Sequence, residues 1–389
     1  MPTPRLEVIA PKDHRPNEVE TLAELEARLS DGGLAGVAIQ GIVLTGVDLS
    51  AVDVHGALFV GCAMTMPQTV DLIQRGALVV PRFSGLPYPT EPSRLYTAGD
   101  LTAGFAGGGF DAMYDTQVYA HFLAHGGAMP DLREALAQRI HDHGIDNALA
   151  EAVQEWTDGQ GSGSVVGIMG GHAEHRGSTG YRNAAALARV LADAGRLVLT
   201  GGGPGVMEAA NLGAYTSSRP EVDLDGAIDE LAAAPDFHQH GPYTKVALAV
   251  RARLAPDADT DWARRGGLSI PTWFYGHEPS NVFAARIGKL FSNSVREELI
   301  LRLSRGGIVF APGRAGTVQE VFQAATMTFY GIDGESGPFV FLGRRFWTEE
   351  LPVRSLLGPL LAGSPTGDLT RLIHVTDDVR EAADLLLTP

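Results

Sequence analysis

The chain has 389 residues, enough for two or three domains, and its 44% hydrophobic and 20% charged residues are a globular balance able to bury a large core. Its formal charge of −16, from 30 Lys and Arg against 46 Asp and Glu, repels nucleic acid and anionic membrane, so neither is an expected partner. Cys62 is the single cysteine, which excludes an intrachain disulfide and a cysteine zinc site.

The opening residues, MPTPRLEVIAPKDHRP, hold no apolar core of the kind a secretory signal needs. No apolar run reaches the ~20 residues of a membrane span. The expected location is cytoplasmic. From position 37 to 66 a period of five emerges. A small residue recurs at Gly41, Gly46, Ala51, Gly56 and Gly61, and an apolar residue at Ile39, Leu44, Leu49, Val54, Phe59 and Met64. A second set lies at Val37, Ile42, Val47, Val52, Ala57 and Cys62. Five matches neither helix nor flat strand. The segment resembles pentapeptide repeats, which coil as a square β-helix with two inward residues per side. Six units imply about one and a half coils. Two strands with chance spacing are the alternative, and either way the segment carries no chemistry.

Residues 81–92 are rich in Pro and Gly and read as a connector. DAMYDTQVYAHFLAHGG and DLREALAQRIHDHGIDNALAEAVQEW read as helices. TDGQGSGS, 157–164, reads as a flexible linker, so the expected division is an N-terminal region over 1–156 and a second domain over 164–389.

Beyond the linker, strands alternate with helices. SVVGIMGG, RLVLTGGG, GLSIPTWF, GGIVFAPG, PFVFLG and LIHVTD read as strands. YRNAAALARVLADAG, GVMEAANLGAYTS, ARIGKLFSNSVREELILRLSR and TVQEVFQAATMTF read as helices. The fold class this implies is α/β: a Rossmann-like, doubly wound parallel sheet with helices on both faces. Residues 219–265 read as an insertion near the mouth of the site.

The glycine runs fall at the expected C-terminal edge of that sheet, where such folds bind ligands. Gly201, Gly202, Gly203 and Gly205 open the helix that carries Met207. Gly170, Gly171 and His172 follow the first strand. Gly313, Arg314, Gly316 and Thr317 link a strand to a helix that carries Glu320. Such loops let an anion approach free N–H groups at a helix start. The dinucleotide and P-loop spacings are missing, which weighs against a dehydrogenase or an ATPase. Thr317 and Glu320 also fit a capping box, a purely structural alternative. His172 and His175 stand three apart with Glu174 between them, and no metal is expected there. Trp273, Phe274 and Tyr275 suit core packing, base stacking or a subunit contact.

TGGGPGVMEAAN and PGRAGTVQE resemble the two signatures of the LOG family, phosphoribohydrolases once misnamed lysine decarboxylases. Pro312, Gly313, Gly316, Thr317 and Glu320 match the second signature, and Arg314 replaces its second glycine. The resemblance spans about 164–345, with GHEPSNVF also similar, and the long form is similar to bacterial nucleotide 5′-monophosphate nucleosidases. It implies hydrolysis of the N-glycosidic bond of a nucleoside 5′-monophosphate, without a cofactor, in a homodimer or larger assembly. It implies Arg296 and Glu320 as the catalytic pair, with Arg286, Lys289 and Arg302 as fallbacks for the arginine. Glu320 would then stabilise charge developing on the ribose. Arg314 either adds a cation to the phosphate site or fills space the ligand needs. Alternatives to catalysis are a nucleotide-binding sensor and a carrier of a phosphorylated cofactor such as molybdopterin.

Overall fold

A computed structural model describes residues 17–388, except 258, 332 and 333. Residues 1–16, where no secretory signal is expected, lie outside the described residues. Among those described, no helix is long and apolar enough to cross a membrane. The chain forms two compact units. One holds 17–95 and 123–150, and the other holds 96–122 and 151–388.

The first unit is built on four short parallel strands, β1 (Glu18–Val19), β2 (Ala38–Gln40), β3 (Leu58–Val60) and β4 (Leu78–Val80), in the order β1-β2-β3-β4. Glu18 pairs with Ala38, Ala38 with Leu58, and Leu58 with Leu78, a register of twenty residues per turn. Twenty is four units of five, so each turn closes a four-sided coil. Gly41, Gly46, Gly56 and Gly61 all have φ between +62° and +90°, which only glycine adopts freely and which explains their recurrence at the corners.

Both apolar sets of the five-residue pattern point inward. Ile39, Leu44, Leu49, Val54 and Phe59 join Val37, Ile42, Ala57 and Cys62 in one buried cluster, with Val47, Val52 and Met64 packed against it. The coil is longer than the pattern implies. Helices α1 (Leu22–Asp31) and α2 (Met66–Gln74) replace sides of its first and third turns, and a helix hides the period. Each starts with a capping box, Thr21 with Glu24 and Thr65 with Gln68. Gln68 Nε2 donates to Leu44 O at 3.0 Å, and Arg75 donates to the carbonyls of Leu49 and Val52. These bonds satisfy carbonyls of the middle turn.

After the connector come α3 (Ala98–Leu101), α4 (Phe105–Gly108), α5 (Tyr114–Ala124) and α6 (Leu132–Gln160). α6 continues through Gln160 and gives way to a 3-10 turn at Ser162–Ser164, so the expected linker at 157–164 is largely structured. Its glycines are compatible with a helix that neighbouring residues already support. Residues 96–122 also fall in the second unit, which differs from the expected division of the chain.

The second unit carries a parallel sheet of β5 (Val165–Met169), β6 (Leu197–Thr200), β7 (Leu268–Ser269), β8 (Arg286–Ile287), β9 (Ile308–Phe310), β10 (Phe339–Leu342) and β11 (Ile373–Thr376), in the order β11-β10-β9-β5-β6-β7-β8. Its helices are α7 (Thr179–Asp193), α8 (Val206–Tyr215), α9 (Glu221–Leu231), α10 (His240–Arg253), α11 (Asn293–Leu303), α12 (Ala315–Tyr330), α13 (Val353–Ala362) and α14 (Val379–Leu387). α7 packs on α8 and α14, and α12 on α11 and α13. Strands β5, β6, β9 and β10 are buried along their whole length, as a sheet flanked by helices requires. The expected doubly wound α/β architecture is present. The helix expected across 285–305 is shorter. Its first residues form β8, and α11 starts only where Ser292 caps it by accepting from the Val295 N–H.

The inward pattern of the coil gives a direct test. Phe59 is fully buried, so Phe59→Ala should cost about 3–5 kcal/mol in denaturant unfolding. Val43, 58% exposed, should tolerate Thr within roughly 0.5 kcal/mol.

Candidate functional site

The strand order reverses between β5 and β9, and the crevice of a doubly wound sheet opens beyond the strand ends at that switch point. Gly171, just past β5, donates its N–H to Pro312 O at 3.0 Å, and its carbonyl accepts the Val206 N–H at 3.2 Å. The two glycine-rich loops therefore flank one residue. Gly170 lies against Val206, and Gly205 against the carbonyls of Gly171 and His172, so added methyl groups at either would collide.

The loop after β6 is held by an amide and hydroxyl network. Gly202 and Gly205 have φ of +74° and +70°. Thr200 Oγ1 accepts the Gly202 N–H at 3.1 Å and donates to Asn211 Oδ1 at 2.6 Å. Asn281 Nδ2 donates to the same Asn211 oxygen at 2.7 Å and to Met207 O at 3.2 Å, while its N–H reaches Gly202 O. Gly201, Gly202, Gly203 and Met207 then line a cleft with Tyr275, Glu278, Lys289 and Arg296.

Arg296 lies on the first turn of α11 and is buried. Its Nε donates to Ile270 O at 2.8 Å, its Nη2 to Gly201 O and its Nη1 to Asn293 Oδ1, both at 3.3 Å. The arginine thus ties the ends of two strands to α11. Of the fallback cations, Lys289 also lines the cleft, with its ammonium 2.6 Å from Asp115 and 2.7 Å from Ser280 Oγ. Arg286 instead lies over the Trp262 ring and 3.6 Å from Glu155.

The second signature departs from the capping-box alternative. α12 starts at Ala315 with Arg314 as its N-cap, so Thr317 is its third residue and Glu320 its sixth. Thr317 is buried over Gly313 and caps nothing. Arg314 takes φ −109°, an ordinary backbone for any side chain, so replacing the signature glycine carries no cost in loop geometry. Its side chain is exposed, as is Gly316, which has no neighbour on its Cβ side.

Glu320 is 9% exposed, and among the described residues its carboxylate accepts no hydrogen bond. Burial pushes its pKa from 4.5 up to about 7, against the nearby Arg296, which lowers it, and with Glu297, which raises it. Glu297 is itself pinned, by Asn293 Nδ2 at 2.7 Å and Gln319 Nε2 at 2.6 Å, so it fastens α11 to α12. Tyr275 sits in the field of Glu297, Arg296, Glu278 and Glu320, and its hydroxyl is raised chiefly by burial.

Sequence reasoning missed the partners that arrive from far along the chain. Glu278 takes His172 Nδ1 at 2.8 Å, which raises the imidazole pKa despite partial burial. Asp115 accepts from Trp273 Nε1 at 2.8 Å and Ser280 Oγ at 2.7 Å, and thereby braces the cleft wall. Trp273 is fully buried, while Phe274 and Tyr275 are about 40% exposed, so only the latter two offer surface. Glu208, in the first signature, is clamped by Arg176 at 2.5 and 2.8 Å, Tyr181 at 3.0 Å and Tyr243 at 2.7 Å. That buried cluster ties the inserted helix α10 to α7 and α8. A glutamate set between Met207 and Ala209 carries no signal of such partners in sequence.

Comparison with known proteins agrees with the first loop. Residues 164–219, which run from β5 through α8, match the model of the SLOG cluster4 family, in a superfamily that includes LOG-like proteins. Among curated proteins none matches this chain. Among solved structures the chain is similar to the molybdenum cofactor binding protein from the phototrophic bacterium Rippkaea orientalis, at 18% identity and a TM-score of 0.34, over 57% of this chain and 94% of that one.

Proposed function

We propose that this chain hydrolyses the N-glycosidic bond of nucleoside 5′-monophosphates, releasing a free base and ribose 5-phosphate. One observation carries the reading: a buried carboxylate, Glu320, without a hydrogen-bond partner among the described residues, beside Arg296 at the switch point. A buried carboxylate of raised pKa is costly unless it serves a ligand or a reaction. The match of 164–219 to SLOG supports a nucleotide-related role.

The phosphate goes to the free N–H groups at the start of α12, with Arg314 beside it. Glu320, on the next turn, then falls at the ribose. The C1′–N bond breaks with its electron pair leaving on the base, and water oxygen bonds to C1′. Glu320 stabilises the positive charge that develops on the sugar and takes the proton from water, which passes to the departing base. Arg296 favours the ionised carboxylate and fixes the carbonyls of Gly201 and Ile270 around it.

Glu320→Gln should lower turnover by roughly 10²-fold or more, with nucleotide affinity little changed. A change of only a few fold, measured on a nucleotide the wild type cleaves, would remove Glu320 from the mechanism. Tight binding without free base from any nucleotide would favour a sensor.

The same residue predicts a pH signature. The ionised form is the active one, so kcat/KM should rise with pH through about 7, and this limb should vanish in Glu320→Gln. Its folded pKa lies above the unfolded value, so its contribution to stability is complete below pH 4.5 and is lost as pH rises through about 7. Glu320→Gln should therefore match wild type in thermal melts at pH 4 and exceed it at pH 8, by roughly 1–3 kcal/mol.

Arg314→Gly separates the two readings of that residue. As a phosphate ligand, Arg314 should give up roughly tenfold in nucleotide affinity on removal, seen by calorimetry. A gain in affinity would identify it as a blocking residue.

A further inference from the structure

Glu278 lines the cleft with a carboxylate for which the glycosidic reaction has no use. It follows the 3-10 turn Trp273–Tyr275, with its N–H bonded to Tyr275 O at 3.0 Å. Three residues on, Asn281 fastens the chain to the loop after β6. The side chain is 12% exposed. One oxygen, Oε1, is held by His172 Nδ1 at 2.8 Å, and the imidazole packs edge-on to Phe237 at 5.7 Å. The other oxygen, Oε2, faces Gly203, 3.1 Å from where a methyl group would stand. Among the described residues His172 is the only side-chain partner of Glu278. A preset acceptor therefore lines the cleft with capacity to spare.

Charge orients the ligand. A phosphate beside Glu278 would be repelled, whereas the start of α12 with Arg314 attracts it. With the phosphate there and the ribose at Glu320, the base is directed toward the cleft that Tyr275 and Glu278 line. Tyr275, 41% exposed, offers an aromatic face for stacking.

Resting on the glycosidic-hydrolase reading above, we propose that Glu278 is a specificity-determining residue that selects a base presenting adjacent ring N–H and amino donors, the N1–H and 2-amino edge of guanine. A carboxylate accepts both donors of that edge. Hypoxanthine offers only the ring N–H, adenine pairs its amino group with an acceptor, and xanthine turns an oxygen toward the carboxylate. A site built to bond a donor discriminates strongly against an analogue without it, because its buried acceptor is left unpaired.

The test is a panel of GMP, IMP, AMP and XMP with wild type, Glu278→Gln and Glu278→Asp, scored both by free base released and by calorimetric binding. Wild type should prefer GMP over IMP by roughly tenfold or more, and over XMP by roughly a hundredfold. Glu278→Gln, which supplies an amide donor, should reduce the GMP-to-XMP ratio at least tenfold. Ratios within one preparation do not depend on the folded fraction, and the wild-type order tests the idea if a variant fails to fold. Cleavage of nucleotides with no preference for GMP, or a ratio unmoved in both variants, overturns the role of Glu278 and leaves the hydrolase reading standing. Selective GMP binding without cleavage of any nucleotide overturns the hydrolase reading and leaves the role of Glu278 standing.

Discussion

The candidate site depends on two backbone hydrogen bonds made by one residue. Gly171 donates to Pro312 and accepts from Val206, and so clamps the loops that follow β6 and β9 to the end of β5. The sheet order makes this clamp available, because β5 and β9 are neighbours whose chains continue in opposite directions. An added methyl group at Gly171 would stand 3.0 Å from Pro312 O, tighter than ordinary contact, so a side chain there would separate the loops. Arg296 repeats the clamp from the side, through Gly201 and Ile270.

Around this clamp the molecule holds unlike electrostatic environments close together. Glu208 and Asp115 are buried carboxylates saturated by fixed donors and cations, which is how buried charge is normally tolerated. Glu320 is also buried but accepts no hydrogen bond among the described residues, and burial raises its pKa. The contrast separates carboxylates that build the fold from one held ready for something outside it. Glu278 is intermediate, with one oxygen engaged and the other turned to the cleft.

Much of this was legible in the sequence where the signal is local. Period-five apolar residues survive as a buried cluster because four fives close one turn of the coil, and the corner glycines need positive φ. Strands of the second unit read clearly because burial on both faces makes them uniformly apolar. Signals failed where one element conceals another. Helices α1 and α2 interrupt the coil, and the two-residue β8 is swallowed by the helical pattern that follows it. The start of α12 is not legible because T-x-x-E is a valid cap for a helix that follows Thr317, whereas this helix begins at Ala315 with Arg314 as its N-cap. Pairings such as Asp115 with Trp273, 158 positions apart, depend on tertiary placement that no local pattern encodes.

The most direct measurement is product identification. Purified protein incubated with a panel of nucleoside 5′-monophosphates, and resolved by mass spectrometry, should yield free base and ribose 5-phosphate in equal amounts. Nucleoside with inorganic phosphate, or unaltered nucleotide across the whole panel, would contradict a site in which Glu320 acts on the glycosidic carbon.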